Sequence, residues 1–235
     1  MESVLDCLRG KLVVSCQAYE GEALFGSETM ARMALAAKRG GAAGIRANHP
    51  DDIRAIKRKT RLPVIGIWKK EDEGSDVYIT PTLNDALAVR RAGAEIVAMD
   101  ATRRDRPGGE SLASIVQEMK KQEGLLLMAD VSTVEEGEYA QHIGFDIVST
   151  TLSGYTPYSP KSDEPDYALL EALAGRLSVP VVAEGRIQTP AQAARCLRLG
   201  ACFVVVGTAI TRPHLLTEMF VKGLEQTDCS TVVPE

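Results

Sequence analysis

One pattern constrains this chain more than any other: a short apolar run, a turn residue, then a longer stretch of helical character, repeated from end to end. The runs are Leu12 to Cys16, Ala43 to Arg46, Pro63 to Ile67, Glu95 to Met99, Leu125 to Ala129, Phe145 to Ser149, Val179 to Ala183 and Cys202 to Val206. Helical stretches lie near 28–39, 51–59, 83–92, 111–122, 134–142, 166–177, 190–198 and 214–225. The runs do not alternate apolar with polar; Phe203-Val204-Val205-Val206 is apolar throughout. Such strands are buried on both faces, as in a parallel sheet covered by helices. Eight strand–helix units within 235 residues predict an α/β chain folded as a single (β/α)8 TIM barrel. An open doubly wound sheet would carry a G-x-G-x-x-G turn after its first strand, and Ser15-Cys16-Gln17-Ala18 stands there instead.

Helix ends agree with this parsing. Asn48-His49-Pro50-Asp51 and Gln188-Thr189-Pro190-Ala191 place a proline early in a helix behind a capping residue. Gly41, Gly93, Gly144 and Gly200 each stand just before a run, where a left-handed residue ends the preceding helix. No linker or composition break divides residues 1–235, so one domain is expected. Residues 1–10 should form a short helix covering the bottom of the barrel, and residues 226–235 a ragged tail.

Composition removes several functional classes. With 27 basic and 32 acidic side chains the net charge is −5, and Lys57-Arg58-Lys59 is too short a cluster to mark a nucleic-acid surface. No run approaches the ~20 apolar residues of a membrane helix, and Met1-Glu2-Ser3-Val4 does not read as a signal peptide. Cys7, Cys16, Cys196, Cys202 and Cys229 are odd in number and lack C-x-x-C spacing, which suits reduced thiols in the cytoplasm. His49, His142 and His214 are scattered, and no metal site is expected.

In a barrel of this kind the chemistry sits where strands end. The residues closing the eight runs are Gln17, Arg46, Lys69, Asp100, Asp130, Thr150, Glu184 and Gly207. Any one could be a turn cap. A mouth gathering Arg, Lys, two Asp and a Glu is costly to assemble unless something binds there. Lys69 follows the apolar Ile65-Gly66-Ile67-Trp68 and could serve as base or Schiff-base nucleophile, with the neighbouring Lys70 as competitor. Glu184 could act as general acid or pair with Arg186 or Arg46. Gly185, Gly207 and Thr208 lie in the loops after strands 7 and 8, where barrels of this type bind phosphate, and Arg212 adds a cation.

The segments carrying these residues resemble one family. They include Val14-Ser15-Cys16-Gln17-Ala18, Gly44-Ile45-Arg46-Ala47-Asn48, Met128-Ala129-Asp130-Val131-Ser132-Thr133, Thr150-Thr151-Leu152-Ser153-Gly154-Tyr155-Thr156, Ala183-Glu184-Gly185-Arg186-Ile187 and Gly207-Thr208-Ala209-Ile210-Thr211-Arg212-Pro213. Together they resemble the N-acetylmannosamine-6-phosphate 2-epimerases of bacterial sialic acid catabolism, from about residue 5 to 225. The resemblance implies a ribulose-phosphate-binding type barrel that interconverts N-acetylmannosamine 6-phosphate and N-acetylglucosamine 6-phosphate without cofactor or metal. It implies Lys69 and Glu184 as the catalytic pair, with Gln17, Arg46, Asp130 and Arg212 contacting the phosphorylated amino sugar. Thr150 and Arg186 complete the expected binding set. It also implies a homo-oligomer, a dimer favoured. Leu216, Met219 and Phe220 of the last helix could serve the interface, or could equally pack on strand 8. Trp68 departs from the small aliphatic residue expected before the lysine and could press on the neighbouring helix or crowd the mouth. Two rival functions remain: a Schiff-base aldolase on a phosphorylated sugar, and a sugar-phosphate sensor without turnover.

Overall fold

The computed structural model describes residues 3–71 and 73–225. A short helix α1 (Val4–Leu8) precedes β1 (Leu12–Cys16), α2 (Ser27–Arg39), β2 (Gly44–Asn48), α3 (Pro50–Thr60), β3 (Val64–Ile67) and α4 (Leu83–Arg91). The alternation continues through β4 (Ile96–Asp100), α5 (Leu112–Met119), β5 (Leu126–Asp130), α6 (Val134–Ile143), β6 (Ile147–Ser149) and α7 (Tyr167–Arg176). It ends with β7 (Val181–Glu184), α8 (Pro190–Arg198), β8 (Val204–Val206), α9 (Thr208–Thr211) and α10 (Pro213–Glu225). Each strand pairs in parallel with the next. Pairing of Leu12, Val13 and Val14 with Val204, Val205 and Val206 closes the barrel.

The local chemistry explains these boundaries. Thr82, Thr133 and Thr189 each cap a helix with the side chain while the third residue onward returns a bond to the cap. His49 caps α3 by its side chain alone, the ring Nδ1 accepting from the Asp51 amide at 3.2 Å, ahead of Pro50. Gly41, Gly93, Gly144 and Gly200 all take φ near 100°, the left-handed turn expected of them. Gly66 has a different purpose. A Cβ there would stand 2.7 Å from the Ala94 methyl and 2.9 Å from Ile53, so glycine is what lets the helices close onto β3.

Alternation along each strand sorts the core in two. Outward residues such as Val14, Ile45, Val64, Val97, Leu127, Val148 and Val204 meet the helices. Inward residues Val13, Ile65, Ile67, Ile96, Ala98, Met128, Ile147, Val182, Phe203 and Val205 fill the barrel, and Leu8 of α1 is buried among them. The lower end is thereby plugged with hydrocarbon. Above it the inward positions turn polar: Ser15, Arg46, Asp100, Asp130 and Ser149 are all buried.

The last helix is an exception to barrel packing. No residue of α10 is buried, and Met219, Phe220, Val221 and Leu224 are exposed, so its apolar face does not lie on β8. No helix among the described residues is long and apolar enough to cross a membrane. Cys7, Cys16, Cys196 and Cys202 are free thiols, and burial pushes Cys16 up to about 12. The expected tail, with Cys229, lies outside the described residues.

Candidate active site

The inward alternation runs past the strand ends, and those positions carry the chemistry. On β1 it passes from Val13 through Ser15 to Gln17; on β3 from Ile65 and Ile67 to Lys69; on β7 from Val182 to Glu184. They meet at the mouth in a cavity of about 400 Å³, whose wall includes Gln17, Arg46, Lys69, Thr151, Glu184 and Arg212.

Arg46 organises the floor. Its Nη2 donates to Asp130 Oδ2 at 2.6 Å, and its Nη1 to Asp130 Oδ1 at 3.1 Å and Glu184 Oε2 at 2.8 Å. The Thr151 hydroxyl donates to Asp130 Oδ1 at 2.7 Å and lies 3.2 Å from Glu184 Oε2. One buried guanidinium thus faces two carboxylates, Asp130 shut off from water and Glu184 at the cavity wall. Burial works against the charge on Arg46, but Asp130 and Glu184 outweigh it and hold the cation more firmly than usual. For Glu184 the balance falls the other way. Burial dominates, Asp130 adds repulsion, and Arg46, Lys69 and Thr151 only partly offset them, so the carboxyl is pushed up to about 7. A carboxyl that titrates near neutrality can hold or release a proton at working pH.

Lys69 is positioned from three sides. Its amide donates to Asn48 Oδ1 at 2.7 Å, and its backbone bridges Ile79 in a small hairpin that folds the segment after β3 back over the mouth. Its Nζ donates to the Tyr19 hydroxyl at 2.8 Å. Lys70 points to the other side: its Nζ lies 5.1 Å from the centre of the Trp68 ring and 3.1 Å from Asp85 Oδ1. Trp68 also faces outward, edge-on to His49 with ring centres 5.3 Å apart, and leaves the mouth clear. Of the two lysines, Lys69 alone lines the cavity.

Three expected contacts need redrawing. Thr150 does not line the cavity; its hydroxyl donates to the Glu184 carbonyl at 2.9 Å and accepts from the Glu184 amide at 3.2 Å, pinning β6 to β7. The side chain that faces the cavity is Thr151, one residue on, because the alternation places Ser149 and Thr151 on the same side. Arg186 reaches the cavity wall, but its guanidinium is engaged with the carbonyls of Ser153 and Glu164 and holds the loop after β6. Asp130 is fully buried below the wall, with both oxygens taken by Arg46 and Thr151. Asp100, beside Asp130 in register, is likewise below the mouth; burial raises its carboxyl, and Thr102 and Arg104 satisfy it.

Gln17 donates from Nε2 to Ser15 Oγ at 2.7 Å, and its buried Oε1 meets no donor among the described residues. Gly185, with φ 109°, needs to be glycine; a Cβ at Gly207 would press on Ser15 at 3.3 Å. Both glycines line the cavity beside Thr208 and Arg212. Arg212 pairs with Glu22, and its guanidinium lies 5.2 Å from the centre of the Tyr19 ring. Tyr19, Glu22 and Tyr78 were not among the expected site residues. Burial pushes the Tyr78 phenol up to about 12, with Asp130 and Asp100 adding to the effect. The signal for Tyr19 was available: it is the next inward position after Ser15 and Gln17.

Comparison with known proteins gives this geometry a context. Residues 30–226 match the family described as "Putative N-acetylmannosamine-6-phosphate epimerase". A relative of that description with the 2-epimerase name, from Caldanaerobacter subterraneus subsp. tengcongensis, is 51% identical over 230 residues, covering 97% of each chain. One from Clostridium perfringens is 50% identical over 217 residues, covering 92% of this chain and 98% of its own. The solved structure of a Clostridium perfringens N-acetylmannosamine-6-phosphate 2-epimerase superposes with TM-score 0.91 at 49% identity, over 93% of this chain and 95% of that one. A thiamine phosphate pyrophosphorylase from Pyrococcus furiosus, 19% identical with TM-score 0.57 over 95% of this chain and 98% of its own, shares the barrel fold alone.

Proposed function

Since the chain belongs to the N-acetylmannosamine-6-phosphate epimerase family, we propose that it interconverts N-acetylmannosamine 6-phosphate and N-acetylglucosamine 6-phosphate, as an N-acylglucosamine-6-phosphate 2-epimerase. The observation that carries the reading is the pairing in one cavity of Lys69 with a Glu184 carboxyl pushed up to about 7.

In the open-chain sugar C2 lies beside the C1 aldehyde, so its proton is removable once the enolate is stabilised. Inversion then requires the proton to leave one face and return on the other. Lys69 Nζ takes the proton; Glu184, whose carboxyl is pushed up to about 7, returns one from the opposite side. Arg46 is a fixed cation at the floor, able to stabilise negative charge developing on the substrate oxygens. Gln17 Oε1 offers a buried acceptor to a substrate N–H or O–H. Arg212, Thr208 and the backbones at Gly185 and Gly207 receive the 6-phosphate, with glycine allowing close approach. Thr150, Asp130 and Arg186 support this set by holding Glu184, Arg46 and the loop after β6 in place. The chain acts as one domain in the cytoplasm.

We also read the exposed apolar face of α10 as the contact of a homodimer, since Met219, Phe220 and Leu224 are 56%, 75% and 72% exposed on one short helix. Light scattering at micromolar concentration should give twice the chain mass; a monomer mass would remove the dimer.

A proton NMR time course on N-acetylmannosamine 6-phosphate in deuterated water tests the reaction. Signals of N-acetylglucosamine 6-phosphate should grow in with deuterium at C2. Cleavage of a carbon–carbon bond, with borohydride trapping sugar on Lys69, would instead identify an aldolase; absence of any turnover would identify a sensor.

A further inference from the structure

The segment between β1 and α2 brings one side chain against both ends of the proposed site. The Tyr19 hydroxyl accepts from Lys69 Nζ at 2.8 Å, with that nitrogen 5.3 Å from the ring centre. The Arg212 guanidinium lies 5.2 Å from the centre of the same ring. The backbone N–H of Tyr19 donates to Glu22 Oε2 at 3.1 Å, and the other carboxylate oxygen of Glu22 accepts from Arg212. Tyr19 therefore connects the amine assigned to proton removal with the cation assigned to the 6-phosphate.

Packing alone gives no reason for a tyrosine here. The residue is 43% exposed and belongs to neither buried apolar cluster. What tyrosine adds is the hydroxyl on Lys69 and a ring face beside the Arg212 cation. A flexible lysine side chain loses considerable rotamer freedom when its amine must sit over one carbon, and a fixed hydrogen-bond partner reduces that loss at the moment of reaction. The ion pair supplies the link to substrate. A phosphate dianion arriving at Arg212 repels the Glu22 carboxylate that holds it, and Glu22 also anchors the Tyr19 amide. The loop carrying both has left-handed glycines at Gly21 and Gly26, which let it readjust.

We propose that Tyr19 is a positioning residue of the epimerase: it sets Lys69 over C2 and couples that placement to occupation of Arg212 by the 6-phosphate. The inference rests on the reading of Lys69 as the base. It predicts a split between kinetic constants that a structural loop residue would not produce.

The test compares Tyr19→Phe and Tyr19→Leu with the parent, on N-acetylmannosamine 6-phosphate and on unphosphorylated N-acetylmannosamine. Tyr19→Phe should lower kcat on the phosphorylated sugar about tenfold, the scale of one hydrogen bond, with KM within about twofold. Tyr19→Leu should lower it further. It should also shrink the advantage in kcat that the phosphate confers, because the ring joining Arg212 to Lys69 is gone. Thermal melts within a few degrees of the parent would show the fold intact. If Tyr19→Phe matches the parent in kcat, Tyr19 does not position the base. If Tyr19→Leu slows both sugars by the same factor, the coupling is overturned. A parent that epimerises and a dead Lys69→Ala, beside an unaffected Tyr19→Phe, sink this inference alone. A parent that does not epimerise takes the functional reading with it.

Discussion

The two ends of the barrel are built from the same strands and the same alternation, yet they obey different rules. At the lower end the inward side chains are Val13, Ile65, Ile96, Met128 and Phe203, closed over by Leu8. Their contribution is area removed from water, each fully buried aliphatic side chain stabilising by about 1.5–3 kcal/mol, and no single geometry is indispensable. Two residues further along, the inward positions are Ser15, Arg46, Asp130, Ser149 and Glu184, where each charge depends on a named partner at a stated distance. Substituting one lower-end residue leaves a hole; substituting one at the mouth leaves an orphaned charge. The mouth therefore costs stability to maintain, and catalysis is the return on it.

The largest test of that contrast is at the mouth itself. Lys69→Ala should lower C2 deuterium exchange by about 100- to 10,000-fold, the scale of a lost general base, while substrate affinity stays within about tenfold. Lys70→Ala should retain most activity, because its Nζ faces Trp68 and Asp85 on the helix side. A dead Lys70→Ala with a working Lys69→Ala would reverse the assignment.

A stability comparison comes next. Arg46→Met strands Asp130 and Glu184 as buried carboxylates without their cation, and should cost about 3–5 kcal/mol in denaturant unfolding. Leu8→Ala, at the other end, should cost about 2–5 kcal/mol through its cavity. The two should separate by pH. The Arg46→Met penalty should relax in acid, where Glu184 takes up its proton, while the Leu8→Ala penalty should stay flat. Parallel pH curves for both would break the distinction between the two ends.

The same contrast explains what could be read from the sequence. The eight runs, the four left-handed glycines and the closed barrel were legible because they follow from local composition and turn chemistry. All eight strands fall within two residues of the expected starts and ends. Residues facing the cavity were harder, because a residue at a strand end faces in or out according to parity, and an error of one residue moves it to the other side. Thr150 in place of Thr151 is that error. Lys69 over Lys70 shows the same rule working, two residues beyond Ile67. Arg186 and Asp130 were visible as charges, but which partner would claim each of them depends on segments far away in sequence. Tyr19 followed the inward parity of Ser15 and Gln17 and could have been found that way, whereas Glu22 sits in a loop whose path no periodicity specifies. The fate of the α10 face was open between two alternatives, and only the absence of buried residues in that helix decides against β8.

Smaller in effect is the phosphate end of the mouth. Arg212→Ala removes one charge-assisted contact and should lower kcat/KM for the phosphorylated sugar by about 10- to 150-fold. Unphosphorylated N-acetylmannosamine should be turned over poorly by the parent and hardly worse by the variant, since the group Arg212 serves is already absent. Equal losses on both sugars would place Arg212 at the reacting carbon or in the fold, and the phosphate assignment would fail.

The finest test reads a single hydrogen bond through the titration of Glu184. Its carboxyl is raised to about 7, so the folded chain binds that proton more tightly than the unfolded chain does. The sign follows: Glu184 favours folding in acid, and that contribution is lost as pH rises from the ordinary carboxylate range through about 7. If protonated Glu184 returns the proton to C2, activity should fall over the same upper stretch, with a midpoint near 7. Glu184→Gln should abolish that limb together with most turnover. Thr151→Val is subtler. The Thr151 hydroxyl shares its proton between Asp130 and Glu184 and favours the ionised form of Glu184, so removing it should move the midpoint upward, by less than about one unit, and activity should persist to higher pH. A downward movement would mean that Thr151 acts mainly through Asp130. An activity that rises through pH 7 rather than falling would make Glu184 the base and give Lys69 the proton to return.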